Sequence, residues 1–280
     1  MKKLIRKNFF NKLYLNKRYN FLRPIKHSSL IRVGNQGDGG YILDKRILKK
    51  STILISFGVG DDWSFEKKCL DLNKKLKIFI YDNSIDFKVF LNRFSKYLRR
   101  FLTLRSNLQS VTETFKILEN YLKFRRFINT YNISFAPNKI SNKVKNKDDI
   151  IFDDTIKNSN TANNIILKCD IEGDEYKIIN QISKNSKTIE MIVMEFHWVE
   201  RNFKIFKNSI KKLKQNYEII HFHANNNSKF IPKRLPAFVE ITLLKKNRIK
   251  NKKYVKKLPN SKLDFPNNNK LKDIKIFFSN

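Results

Sequence analysis

Seven short apolar runs, separated by stretches with helical periodicity, most restrict the fold of this chain. The runs are TILISF (52–57), KIFIYD (77–82), NISFA (132–136), NIILKCD (164–170), EMIVMEF (190–196), YEIIHFH (217–223) and AFVEITLL (237–244). The helical stretches are 63–74, 85–126, 174–184 and 199–215. Apolar strands that alternate with helices predict an α/β fold, with a mostly parallel sheet covered by helices on both faces.

Two departures from simple alternation add detail to this fold. No long helix separates the last two runs, which favours an antiparallel hairpin at the sheet edge. The stretch 85–127, after the second run, is too long for one crossover helix and predicts an insertion of two or three helices. Within it, FLTLRS (101–106) is a candidate strand, and DIIFDDTI predicts a short element in the polar piece 138–163.

The length of 280 residues suits one large α/β domain with appendages. We divide the chain into a basic N-terminal arm (1–31), helical over 1–27, a central domain (32–247) and a basic C-terminal tail (248–280). Positive charge is densest at the two ends, which predicts solvated disorder there.

The charge balance is strongly basic, with 59 Lys and Arg against 25 Asp and Glu, a net charge of +34. Such a field attracts nucleic acid, anionic membrane or a phosphorylated substrate. An excess of Lys together with Asn, Ile and Phe is also what a strongly AT-biased coding sequence produces, whatever the function. Charge alone therefore does not identify the partner.

Several signals favour a reduced, cytoplasmic protein. Cys69 and Cys169 lie far apart and have no spacing for a zinc site. The basic N-terminus lacks the apolar core of a signal peptide, and no apolar run approaches the roughly 20 residues that span a bilayer.

A pair of glycines follows the first predicted strand, and an acid ends the second. Gly58 and Gly60 let the backbone pass close under a ligand, and Asp82 can accept hydrogen bonds from both hydroxyls of a ribose. Ligands of open α/β sheets bind beyond the carboxyl ends of such strands. The glycines form neither G-x-G-x-x-G nor a P-loop, so a dinucleotide is less favoured than S-adenosylmethionine, although a dehydrogenase stays open.

The fourth predicted strand ends in a cluster of acids. Asp174 and Glu175 fall in the first turn of the next helix, where the helix dipole favours acids. Asp170 and Glu172 lie at or just past the end of the strand and face the predicted crevice. Because like charges so close repel, they need cations, hydrogen bonds or solvent.

Glu195 and His197 end the fifth strand, and His221 and His223 end the sixth. A histidine there can act as a general base, although a hydrogen-bonded loop histidine is an equally open interpretation. A metal site built from Asp170, Glu195 and a histidine is conceivable, but the spacing carries no metal signature, and we assign no metal.

The stretches ILISFGVGDDWSFE, KIFIYD, ILKCDIEGDEY and IVMEFH resemble the FkbM-like family of S-adenosylmethionine-dependent methyltransferases. The resemblance covers roughly residues 32 to 245, and KCDIEGDEY carries its most specific block, K-x-D-x-E-G-x-E. It implies a class I methyltransferase (Rossmann-like) fold, with a seven-stranded, mostly parallel sheet and a reversed last strand. It also implies O-methylation of a sugar, glycan or related small molecule, with S-adenosylmethionine as cofactor.

Site residues follow from the resemblance position by position. Gly58 and Gly60 approach the methionine part of the cofactor, Asp82 holds the ribose, and Asp170 with Glu172 lines the reaction centre. Many methyltransferases carry an acid at the end of the first strand, where this chain has Ser56 and Phe57. Asp61 or Asp62 would take over the contact with the amino group of the cofactor.

Methyl transfer requires a base that removes the proton of the acceptor hydroxyl. We predict His197 in this role, with Asp170 or Glu195 as alternatives. The loop Gly37–Tyr41 is predicted to fold over the cofactor or acceptor as a lid. The candidate acceptor-binding residues are Asp38, Tyr41, His223, Asn225 and Glu240.

Other functions stay open at this point. A nucleic-acid methyltransferase would use the same cofactor and suit the basic charge, but neither an Asn/Asp-Pro-Pro-aromatic block nor a Cys-based loop is present. A non-catalytic basic nucleic-acid-binding protein on the same scaffold is a further alternative. The basic tail is compatible with peripheral contact with anionic membrane or glycan, and the sequence does not determine the oligomeric state.

Overall fold

The computed structural model describes residues 12–85, 87–103, 108–160, 164–227 and 234–279. The strands, β1 to β14, are Lys12–Leu15, Leu30–Val33, Tyr41–Asp44, Ile53–Phe57, Lys77–Tyr81, Ser134–Ala136, Lys139–Ser141, Asp149–Ile151, Ile165–Cys169, Ile189–Phe196, Tyr217–Ala224, Val239–Lys245, Lys257–Leu258 and Lys275–Phe278. The α-helices, α1 to α7, are Lys45–Lys50, Ser64–Leu72, Phe87–Leu102, Leu108–Thr130, Phe152–Asn158, Glu175–Lys184 and Phe203–Leu213. Short 3₁₀ helices cover Lys17–Leu22, Asn83–Ile85 and Lys246–Arg248.

All seven predicted strands form one sheet, in the order β11-β12-β10-β9-β4-β5-β6. β12 is antiparallel to β10 and β11, and the other neighbours in the sheet are parallel. The order turns back at β4, which lies between β5 and β9, so this is the point where the crevice of a doubly wound sheet opens. The predicted fold class is confirmed, including the reversed last strand and the hairpin at the sheet edge.

Side chains of the central strands alternate between two hydrophobic layers. On β4, Ile53, Ile55 and Phe57 pack on one face with α5, α6 and α7, whereas Leu54 packs on the other with α1, α2 and α4. Because both faces are covered, all five residues of β4 are buried. This is why the strand reads as a continuous apolar run rather than as an alternating one.

The predicted helical insertion consists of two helices, α3 and α4, between β5 and β6. The candidate strand FLTLRS (101–106) is wrong where it can be compared, because α3 extends through Leu102, and 104–106 lie outside the described residues. The short element DIIFDDTI is β8 followed by α5.

The two chain ends pair with each other. β1 is parallel to β14, and β13 is antiparallel to β14, in a separate three-stranded sheet. Leu13 and Leu15 from one end, with Ile276 and Phe278 from the other, are buried in the same layer as α7. Solvated disorder is therefore wrong for residues 12–31 and 248–279.

The prediction of a helical N-terminal arm is also wrong for the described residues, because residues 12–15 form a strand and residues 17–22 form a 3₁₀ helix. Residues 1–11 of that arm lie outside the described residues. Whether 32–247 folds as a unit stays a prediction. Within the described ranges, the helices are too short or too polar to cross a membrane.

Asp44, between β3 and α1, gives the fold a pH-dependent stabilisation. Its carboxylate accepts hydrogen bonds from the Arg46 and Ile47 N–H groups and pairs with the His27 ring. Burial alone would raise the pKa of Asp44, but these partners outweigh it and lower the pKa from 3.8 to about 2. The stabilisation is therefore complete above about pH 4 and is lost as the pH falls through the folded-state pKa.

We expect Asp44→Asn, which keeps an oxygen at the helix cap but removes the charge, to lower the free energy of unfolding by about 2 kcal/mol at neutral pH. Urea denaturation at several pH values checks this. The difference in free energy of unfolding between variant and wild type should become smaller as the pH falls from about 4 to about 2. A gap that does not change over this range would contradict the assignment.

Candidate functional site

A cleft of about 440 Å³ opens at the carboxyl ends of β4, β5 and β9. It is lined by residues 58–60, 81–84, 138–140, 170–172 and 174. Its volume falls in the range of roughly 300 to 1,000 Å³ typical of small-molecule sites. The cleft thus lies where the sequence predicted a ligand, beside the glycine pair and both acidic strand ends.

Gly58 and Gly60 play different parts in the turn that forms one wall. Gly58 has a φ of +69°, and a Cβ there would lie 1.6 Å from the carbonyl oxygen of Asp170. Gly60 has a φ of +59°, but a Cβ there would meet no atom within 4 Å. Gly58 therefore lets two strand ends touch, whereas Gly60 leaves open space on the side of the cleft.

Asp82 holds this turn in place. Its Oδ2 atom accepts hydrogen bonds from the N–H groups of Val59 (2.7 Å) and Gly60 (2.8 Å), and its Oδ1 accepts from the Ser84 N–H (2.6 Å). The sequence interpretation gave Asp82 to a ribose and missed its role in the turn. Oδ2 already accepts two hydrogen bonds, whereas Oδ1 accepts one and can accept another, so the ribose contact stays a prediction.

Behind the turn lies a buried pair of charges that the sequence interpretation missed. Lys168, in β9, is only 4% exposed, donates to the Gly58 carbonyl and lies 5.6 Å from the centre of the Tyr41 ring. Glu66, in α2, is fully buried and accepts the Ser56 hydroxyl at 2.5 Å. Burial raises the pKa of Glu66, and the charge of Lys168 opposes that rise. A lysine inside the otherwise apolar run IILKC was the available signal.

Lys168→Met is expected to lower the free energy of unfolding by about 2 kcal/mol, because it leaves the Gly58 carbonyl and the Glu66 carboxylate without their cation. The double variant with Glu66→Gln should recover part of this loss. Urea denaturation measures both. Lys67→Met, at an exposed position of α2, is the control and should change the free energy by no more than about 0.5 kcal/mol. An equal loss of unfolding free energy in Lys168→Met and Lys67→Met would contradict the role of Lys168.

Four of the predicted residues meet beside the cleft. The Tyr41 hydroxyl donates to Asp170 Oδ2 at 2.7 Å. His197, 4% exposed, points its Nε2 atom at Asp170 Oδ1 (3.7 Å) and Glu172 Oε2 (3.5 Å). Its other nitrogen, Nδ1, lies 2.5 Å from Oε1 of the buried Glu175. Glu175, assigned from sequence to the helix dipole alone, thus fixes the orientation of the histidine ring.

Electrostatics around this group favour a neutral tyrosine and a basic histidine. Burial raises the pKa of Tyr41 well above its ordinary value, and the charge of Asp170 adds to the rise. Burial alone would lower the pKa of His197, but the hydrogen bond and charge of Glu175, with the charges of Asp170 and Glu172, raise it overall. Tyr41 therefore acts as a hydrogen-bond donor to Asp170.

A second polar network lies outside the lining of the cleft and contains five further predicted residues: Asp38, Glu195, His223, Asn225 and Glu240. Asn225 donates to Glu195 Oε1 at 2.8 Å, and His223 Nδ1 lies 3.4 Å from Glu240 Oε2. Glu240 faces Glu195 and His223 across the two antiparallel strand pairs of β12. Burial and the charges of Asp170 and Glu240 raise the pKa of Glu195 well above its ordinary value.

The C-terminal segment completes this second network. Asn267 donates to Glu240 at 2.6 Å and to Asp38 at 3.4 Å, while Asp273 lies 3.1 Å from His223 Nε2. The structure therefore brings Asp38, His223 and Glu240 together, but through a C-terminal tail for which no role in the site was predicted.

The two acids considered for the cofactor's amino group do not line the cleft. Asp61 is exposed. Asp62 instead accepts from the Ser64 N–H (2.9 Å) at the start of α2 and from the Asn35 side chain (2.6 Å). The predicted lid, Gly37–Tyr41, packs beside Asp62 at Gly39 and ends in β3. Closure of this loop over a ligand stays a prediction.

No family model and no curated protein matches the chain. Several solved structures are similar to the chain in fold at low sequence identity. Precorrin-6y C5,15-methyltransferase from Geobacter metallireducens is 11% identical, with 72% of this chain and 84% of that chain covered and a TM-score of 0.35. The Methanococcus jannaschii fibrillarin pre-rRNA processing protein is 8% identical, with 71% of this chain and 68% of that chain covered and a TM-score of 0.35. M. jannaschii TYW2 in complex with AdoMet is 12% identical, with 78% of this chain and 89% of that chain covered and a TM-score of 0.29. At these values the likeness concerns the arrangement of sheet and helices alone.

Proposed function

We propose that this protein is an S-adenosylmethionine-dependent methyltransferase that transfers a methyl group to a hydroxyl of a sugar, glycan or related small molecule. One observation carries the proposal: a glycine turn, held by Asp82, borders a cleft at the switch point of a sheet with the class I methyltransferase strand order. The resemblance of KCDIEGDEY to the FkbM-like block supports the finer assignment.

The residues of the cleft suit this cofactor. Gly60 leaves space on the cleft side, where a side chain would otherwise stand, and Asp82 Oδ1 retains acceptor capacity for one ribose hydroxyl. Asp170 and Glu172 line the same cleft and provide negative charge toward a sulfonium. When bound, the cofactor supplies an electrophilic methyl group.

The acceptor belongs at the Asp170 and His197 end of the cleft. A hydroxyl there must be oriented and must lose its proton. The Nε2 atom of His197 can accept that proton directly, or can hold a cation that would lower the pKa of the hydroxyl. Trp198, next in the chain, is 39% exposed and packs on Phe238 at 5.3 Å between ring centres. An exposed indole ring beside polar groups suits the apolar face of a sugar ring, which supports a carbohydrate acceptor.

A nucleic-acid acceptor is the second candidate, and the net charge of +34 favours it. Phosphate contacts through lysine and arginine would make binding fall steeply with salt. Binding to RNA or DNA that ignores the cofactor would instead favour a non-catalytic binding protein on this scaffold.

Transfer of tritium from methyl-labelled S-adenosylmethionine to a panel of free sugars, oligosaccharides, total RNA and DNA tests the proposal. We expect label in the carbohydrate fraction, and S-adenosylhomocysteine should suppress it. Label in nucleic acid alone would overturn the sugar assignment and support the second candidate. A folded protein that binds neither cofactor form would overturn the methyltransferase assignment itself.

A further inference from the structure

We propose that Asp170, Glu172 and His197 form a binding site for a divalent transition-metal cation such as Mn²⁺. One ligand atom from each residue lies within 4.8 Å of the others. The sequence carried no metal signature because the ligands come from the ends of two different strands, β9 and β10, which become neighbours only in the folded sheet. The site therefore departs from the expectation that no metal is bound.

The imidazole of His197 is set up as a ligand. Its Nδ1 is occupied by Glu175, and in the described part of the chain Nε2 makes no hydrogen bond. The ring is 4% exposed, and Nε2 points between the carboxylates of Asp170 and Glu172. Metal-binding histidines commonly donate their second nitrogen to a carboxylate, which fixes the tautomer and directs the lone pair at the metal. Glu175 supplies that carboxylate.

Asp170 is also held by a partner outside the cluster. Tyr41 donates to Oδ2, so that Oδ1 is left facing His197 Nε2 at 3.7 Å. Ligand atoms about 2.1 Å from one metal ion lie about 3 to 3.5 Å from each other, so a small movement closes the site. Glu172 can make that movement, because its side chain is 85% exposed.

The donor set indicates the kind of cation. One imidazole nitrogen with two carboxylates suits Mn²⁺, Fe²⁺ or Zn²⁺ better than Mg²⁺, which prefers oxygen ligands alone. Three protein ligands leave coordination positions open toward the cleft, which Asp170 and Glu172 line. A cation bound there would supply Lewis acidity toward an acceptor oxygen. That role rests on the proposed function, whereas binding of the cation is independent of it.

The test is titration of the full chain with Mn²⁺ alone, without cofactor, followed by electron paramagnetic resonance of free Mn²⁺. We expect one site in the wild type. His197→Gln and Asp170→Asn should weaken it by more than about tenfold, and Glu175→Gln by about 10- to 100-fold. A pulsed spectrum of the bound ion should show coupling to a nitrogen nucleus, and this coupling should be absent in His197→Gln.

Asp174→Asn is the matched control. Asp174 lines the same cleft and loses the same charge, but its carboxylate pairs with Lys139 and Lys177 rather than with His197. It should keep the wild-type affinity. Circular dichroism verifies that each variant is folded. Equal affinities in all variants, or no binding to the folded wild type at millimolar Mn²⁺, would overturn the site whether or not the protein binds S-adenosylmethionine.

Discussion

Gly58→Ala is expected to lower the free energy of unfolding by about 3 kcal/mol or more and to abolish cofactor binding. The new Cβ would lie 1.6 Å from the Asp170 carbonyl oxygen, a backbone atom, so the glycine turn and the end of β9 must separate. The backbone at φ +69° adds strain for any side chain. Because the same two segments line the cleft, their separation would also distort the cofactor-binding site.

Gly60→Ala provides the matched comparison. It carries the same change at a similar φ of +59°, but its Cβ would meet no atom within 4 Å. We expect a loss of about 1 kcal/mol from backbone strain alone. Urea denaturation of both variants separates the steric from the conformational contribution. Equal losses would contradict the close approach of the turn to Asp170.

Methyl transfer is expected to fall by about 10²- to 10⁴-fold in His197→Gln, while affinity for S-adenosylmethionine is retained. His197 faces Asp170 and Glu172 at the edge of the cleft but does not line the part beside the glycine turn. The rate with the acceptor identified from the labelled panel, together with cofactor titration, measures both quantities.

Two further variants sharpen this prediction. Glu175→Gln should lose part of the activity, because the ring of His197 keeps a hydrogen-bond partner without its charge. Asp71→Asn, at an exposed carboxylate that pairs with Lys74 outside the cleft, should keep the wild-type rate. A His197→Gln enzyme with full activity would exclude the residue from catalysis, and a parallel loss of cofactor affinity would show that it acts on binding instead.

The sheet could be predicted because its signals are local. Every strand of the main sheet coincides with an apolar run. Burial on both faces requires mostly hydrophobic residues, as at 53–57 and 165–169, where Ser56 and Lys168 are the polar exceptions. The glycine pair and the terminal acids were also identifiable, because ligands of such sheets bind at the carboxyl ends of the strands.

Features that depend on contacts between distant parts of the chain were missed. The tail pairs with β1 over all four residues of KIFF and KLYL, two short segments that lie at opposite ends of the chain. Asn267 reaches Glu240 and Asp38 from that same tail. The partnership of Lys168 with the Gly58 carbonyl, and of Glu175 with His197, likewise joins residues brought together only by the fold.

Calorimetric titration of the full chain with S-adenosylmethionine and S-adenosylhomocysteine, repeated on Asp82→Ala, tests the central claim most directly. We predict micromolar binding of both ligands to the wild type and its loss in Asp82→Ala, which removes a carboxylate from the cleft. Asp71→Ala, which removes an exposed carboxylate paired with Lys74, should bind like the wild type. Absence of heat with either ligand at high concentration, in a sample shown to be folded, would contradict the assignment of the cleft to this cofactor.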